Sequence, residues 1–95
     1  METQAKRFYV SGMVHGVGFR FFAERIAARL GVGGFVRNLL DGRVEVYAIG
    51  SAEQMDALKN ELLRGPRMAA VDRVDEHDAD ILLDYANVFS IERDE

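Results

Sequence analysis

The 95-residue chain is expected to fold as one α+β domain of order β-α-β-β-α-β with an extra strand. Three observations carry that expectation. Residues 6–14 and 43–49 alternate apolar and polar positions, the period of a half-buried strand. Two other stretches carry apolar residues at spacings of three and four, each closed by glycine, the pattern of an amphipathic helix. Asp41-Gly42 lies between two strand patterns and signals a hairpin.

Taken in order, strand one covers 6–14. Phe8, Val10, Gly12 and Val14 fall on one face, and Arg7, Tyr9, Ser11 and Met13 on the other. A helix follows at 21–30, with Phe22, Ile26 and Leu30 four apart and Ala23 and Ala27 widening the stripe. Gly31 and Gly33-Gly34 end it. Strand two spans 35–40 and strand three 43–49, with Val44, Val46 and Ala48 inward. Ser51 and Gln54 form a capping box for a second helix at 52–64, which buries Met55, Leu58 and Leu62 and stops at Gly65-Pro66. Val71 and Val74 break strict alternation, as in a fourth strand with a bulge. The acidic run 76–80 reads as a surface turn, 81–83 carries no assignment, and 88–93 reads as a fifth strand at an edge.

This order is the ferredoxin-like split β-α-β arrangement, a sandwich with two helices on one face of a four- to five-stranded, mainly antiparallel sheet. A right-handed crossover makes strands one and two parallel, so their C-terminal ends share one rim of the sheet. The turn after strand one and Asn38 near the end of strand two are thereby brought to the same place.

Composition narrows the function classes. The formal net charge is -4, which argues against general affinity for nucleic acid or for an anionic membrane. Without cysteine there is no disulfide, thiolate nucleophile or sulfur metal site. METQAKR lacks the apolar core of a signal peptide, and no apolar run approaches the length of a membrane span, so a cytoplasmic protein is expected.

The chemistry concentrates in Val10 to Arg20, VSGMVHGVGFR. Gly16 and Gly18 allow positive φ, and successive N–H groups in such a turn make a concave anion site. The following helix adds the partial positive charge of its N-terminus. Arg20 adds a planar cationic fork suited to phosphate. Alone, each feature has an ordinary reading: a plain strand-to-helix turn, a surface arginine, and at Asn38 a turn residue ahead of Asp41-Gly42.

Two stretches decide between these readings. VSGMVHGVGFR resembles the first signature of the acylphosphatase family. Gly34-Phe35-Val36-Arg37-Asn38 with Gly42, Val44 and Gly50 resembles the second at its full spacing. Leu30-Gly31 and Gly65-Pro66 also sit where such proteins have them, and the similarity fades after Val74. The resemblance implies a single acylphosphatase-like domain over 1–95, acting as a monomer. Its implied activity is hydrolysis of the carboxyl-phosphate bond of a small-molecule acyl phosphate, without a metal or other cofactor. It implies that Arg20 binds the phosphate, that Asn38 orients the attacking water, and that the backbone of His15, Gly16, Val17, Gly18 and Phe19 completes the phosphate loop.

Some residues depart from the family pattern or compete with this reading. Position 15 is histidine where the family's commonest residue is glutamine; it is expected to shape the loop rather than to catalyse. The C-terminus, SIERDE, is more acidic than the family's usual aromatic-ended last strand. Arg37 and Arg43 flank the rim and read as solvated strand charges. His77, among Asp75, Glu76, Asp78 and Asp80, matches no metal-loop spacing and reads as part of a solvated acidic turn. The competing function class is a non-catalytic ferredoxin-like binding module. Such a module would take single-stranded RNA through Tyr9 and Tyr47 on the outer sheet face, or sense a small anion without turnover.

Overall fold

The structure is a computed structural model that describes residues 2–95. Its elements are β1 (Gln4–Met13), α1 (Phe19–Leu30), β2 (Gly33–Asn38), β3 (Val44–Gly50), α2 (Ala52–Arg64), β4 (Ala70–Ala79) and β5 (Phe89–Ile91), with a single 3-10 turn at Leu83–Tyr85. The five strands form one sheet of order β4-β1-β3-β2-β5. All neighbours are antiparallel except β2 and β5, which run parallel. Because β3 is antiparallel to both β1 and β2, those two strands point the same way and finish at one rim.

The helices start and stop for local reasons. Gly31 ends α1 at φ 76°, its N–H donating to the carbonyls of Ala27 and Ala28. At the start of α2, Ser51 Oγ accepts from the Gln54 N–H while the Gln54 side chain accepts from the Ser51 N–H. Phe22, Ala23, Ile26 and Ala27 of α1 and Met55, Leu58 and Leu62 of α2 pack on Phe8, Val10, Val36, Val44, Val46 and Ala48 of the sheet, the main core. Leu58 and Leu62 are fully buried, each contributing about 1.5–3 kcal/mol of apolar burial. No helix among the described residues is long and apolar enough to cross a membrane.

The open face of the sheet is closed by a second, smaller cluster. Phe35 and Tyr47 stack at 5.3 Å, Tyr85 from the 3-10 turn tilts onto Phe35 at 5.1 Å, and Ala5 and Ile49 complete the group. Tyr47 is fully buried; its hydroxyl donates to the Asp80 carbonyl at 2.5 Å and accepts from the Leu82 N–H at 2.7 Å. Beside it, Glu45 is buried with three donors on its carboxylate: Arg7 Nη1 at 2.8 Å, Arg37 Nε at 2.6 Å and the Tyr9 hydroxyl at 3.3 Å.

Several sequence-based expectations need correction. The acidic run 76–80 is not a turn, because β4 continues through it to Ala79. As an edge strand β4 can keep its acids in solvent, and two lysines neutralise Glu76 and Asp78. Glu76 lies 3.0 Å from Lys6 Nζ and 2.6 Å from Lys59 Nζ, and Asp78 lies 3.0 Å from Lys6 Nζ. The bulge expected in this strand is present: Ser11 pairs with Arg73 and Gly12 with Val71, leaving Asp72 as the extra residue. Strand two stops at Asn38, two residues early. The Leu39 N–H turns back to the Arg43 carbonyl and Leu40 is exposed, so a five-residue loop joins β2 to β3. Helix α1 starts at Phe19, not 21, which places Arg20 in its first turn. The fifth strand is shorter than 88–93 and lies at the edge beside β2.

Candidate active site

The turn between β1 and α1, the expected anion cradle, is shaped by two glycines and leads straight into the helix. Val14 is buried and Val17 packs against the core, so the turn is pinned from below while His15, Gly16 and Gly18 face solvent. Gly16 (φ 71°) and Gly18 (φ 78°) take left-handed conformations that side chains resist. A Cβ at either would enter open space, so the demand for glycine lies in the backbone angle and not in a clash. Helix α1 begins on Gly18 with no side-chain cap and no acidic residue in its first turn. Its first N–H groups and its partial positive charge are left for an outside acceptor.

Asn38 reaches the same spot from β2. It shares the helix-facing side of the strand with Val36, two residues on toward the rim. The residue is 8% exposed, and neither of its side-chain polar atoms is both buried and unpaired. Among the described residues no side chain or backbone group hydrogen-bonds its carboxamide. A small cleft of about 90 Å³ is lined by Val14, Gly16, Gly18, Phe19, Arg20, Phe21 and Asn38. Its size suits a small anion and is far below that of a drug-sized ligand pocket. A larger groove of about 500 Å³ lies between α1 and residues 86–89; among the described residues its mostly apolar lining, with Glu24 and Asn87, offers no cation to an anion.

Among the described residues Arg20 has one partner at this rim. Its Nη1 lies 3.2 Å from Asp94 Oδ1, an ion pair with both side chains well exposed. Asp94 was not singled out from the sequence. It arrives because β5 runs parallel to β2 and carries the chain toward the rim, where the Glu95 N–H donates to the Asn38 carbonyl and the Leu40 N–H to the Glu95 carbonyl. The direction of the fifth strand was the signal that could have found it.

The remaining flanking groups are committed elsewhere. Arg37 lies on the opposite face, holding Glu45 and, at 3.1 Å, Glu95. Arg43 pairs with Asp41 at 2.9 Å and lies over the Tyr9 ring at 4.7 Å. The backbone N–H of Arg43, with its guanidinium, holds the Asp41 carboxyl below its ordinary value. Burial, then the charge of Glu45, raises the Tyr9 phenol above its ordinary value. His77 sits edge-on to Tyr9 at 5.7 Å. Among the described residues the outer face therefore has no free aromatic platform: Tyr47 lies under the 80–85 segment and Tyr9 is half-buried among charges.

A sequence model of the acylphosphatase family matches residues 6–91. The chain belongs to the acylphosphatase family. It is 49% identical over 79 residues to an acylphosphatase of Solibacter usitatus, covering 83% of this chain and 82% of that one. It is 45% identical over 86 residues to an acylphosphatase of Bifidobacterium longum, covering 90% and 89%. The fold superposes on the crystal structure of acylphosphatase from Bacillus subtilis with a TM-score of 0.87 at 30% identity, over 96% of this chain and 99% of that one. Membership makes the chain a hydrolase of the acylphosphatase kind, acting on acyl phosphates.

Proposed function

We propose that this chain hydrolyses the carboxyl-phosphate bond of acyl phosphates by in-line attack of a water held by Asn38. In this reading the phosphoryl group is gripped by Arg20 and by the backbone N–H groups of residues 15–19. Phosphoryl transfer passes through a loose transition state, so the protein chiefly positions groups and stabilises charge. The guanidinium fork and the fixed N–H dipoles do the latter without reorganising. The Asn38 side-chain oxygen accepts from the water and its NH₂ donates. An amide is too weak a base to remove the proton outright, so a phosphoryl oxygen takes it. The water oxygen bonds to phosphorus as the bridging P–O bond breaks, and the electron pair leaves with the carboxylate. A carboxylate is a good leaving group and requires no strong general acid.

What supports this reading is the shared cleft: the cradle, Arg20 and an unpartnered carboxamide line one small cavity. The test is hydrolysis of acetyl phosphate in the presence of a chelator. Turnover is expected to persist. Asn38→Ala should lower kcat by about a hundredfold or more while leaving competitive inhibition by inorganic phosphate within a few-fold. Arg20→Ala should weaken both. Full activity in Asn38→Ala removes the mechanism.

A further inference from the structure

The cradle and Asn38 belong to different parts of the chain, and the chemistry requires them to hold one separation. The side chain of His15, itself part of the cradle loop, reaches from one toward the other. Its Nε2 is 2.8 Å from the backbone carbonyl oxygen of Arg43. That same oxygen accepts the Leu39 N–H at 2.8 Å, and Leu39 follows Asn38 directly. A carbonyl has two lone pairs, and here both are occupied: one by the cradle loop, one by the end of β2. Arg43 is also next to Val44, which pairs with Asn38 across the sheet.

We propose that His15 is a positioning residue, tying the phosphate cradle to the strand end that carries Asn38. The inference rests on the role assigned above to Asn38. Packing of Val14 and Val17 sets how deep the loop lies on the core. Among the described residues the His15 side chain makes the one hydrogen bond from residues 14–17 to the β2–β3 loop. Since a carbonyl can only accept, Nε2 must carry the proton. The neutral ring in that tautomer and the cationic ring both satisfy this, so the tie does not depend on the charge of the imidazole. Arg20 and the loop N–H groups sit on the cradle side of the tie, so loosening it should leave phosphate binding in place. The attacking water would lose its alignment, and a misplacement of about 1 Å can cost up to about a hundredfold in rate.

The test compares His15→Ala, His15→Met and His15→Gln, using acetyl phosphate turnover, inhibition by inorganic phosphate, and the melting temperature. Glutamine brings an N–H to a similar reach; methionine keeps the bulk without a donor. His15→Ala and His15→Met are expected to lose about ten- to a hundredfold in kcat, with the phosphate inhibition constant within about threefold of the starting protein. His15→Gln should recover most of the turnover. Should His15→Ala fail to fold, the Met and Gln pair carries the comparison. The proposal is overturned by undiminished kcat in His15→Met, by equal impairment in His15→Gln, or by parallel loss of phosphate affinity and kcat. A fully active Asn38→Ala would instead strike the reading beneath it; an inactive Asn38→Ala beside an active His15→Met strikes this inference alone.

Discussion

Replacing Glu45 by glutamine should destabilise the protein substantially while sparing its chemistry. The carboxylate is 4% exposed and receives three donors, two of them guanidinium groups. Glutamine keeps the shape but turns one end of the group into a donor, which must face an arginine. Breaking a fully buried ion pair costs about 3–5 kcal/mol. Arg7 and Arg37 remain 31% and 22% exposed, so water can recover part of their solvation. That places the expected loss lower, at about 2–3 kcal/mol. For a domain of this size the melting temperature should fall by about 8–24 °C. Urea unfolding at neutral pH, with m unchanged, gives the free energy directly. Acetyl phosphate hydrolysis measured well below the transition should be within about twofold, because Glu45 lies on the face opposite the Asn38 cleft. A loss below about 0.5 kcal/mol would show that the network is solvated and would refute the argument from burial.

Two further outcomes are expected. Hydrogen bonds from Lys59, then Lys6, hold the Glu76 carboxyl below its ordinary value of 4.5. A depressed folded-state pKa binds fewer protons, so this pairing contributes stability above that value and loses it as pH falls through the lowered one. Glu76→Gln should therefore cost about 0.5 kcal/mol at neutral pH, the site being well solvated, and nothing in the acid limb of a urea-midpoint titration. A cost that persists in acid would assign the effect to packing. Asp94→Asn removes an anion from Arg20, and an exposed pair of this kind is worth about 0.2–1 kcal/mol. Inorganic phosphate should then inhibit up to about fivefold more tightly at low salt, with the gain shrinking as salt rises. Weaker inhibition would mean that Asp94 orients the guanidinium instead of competing for it.

Features set by neighbouring residues were readable from the chain. The capping box of Ser51 and Gln54 and the glycine stop at Gly31 depend on groups within one helical turn. The cradle is contiguous, and Asn38 could be brought to it by the crossover rule alone. The misreadings arose where distant partners decide. An acidic run stays in a strand because Lys6 and Lys59 meet Glu76 from β1 and α2. Tyr47, on the face that a binding module would leave open, is sealed by the 80–85 segment, whose short apolar residues show no period of their own. Asp94 reaches Arg20 only once β5 is known to run parallel to β2.

The acidic net charge and the anion cleft are reconciled by where the arginines are spent. Arg7 and Arg37 converge on Glu45, and Arg43 is held by Asp41 and Tyr9. None of these three is left to add to a positive field around the cleft, and the net charge of -4 makes diffuse attraction to polyanions weak. Arg20 alone lines the cleft, joined by N–H dipoles whose direction is fixed by Gly16, Gly18 and the first turn of α1. Dipoles act over short range and from defined angles. In the reading proposed above, such a site selects by fit at contact distance, which suits a compact phosphoryl group.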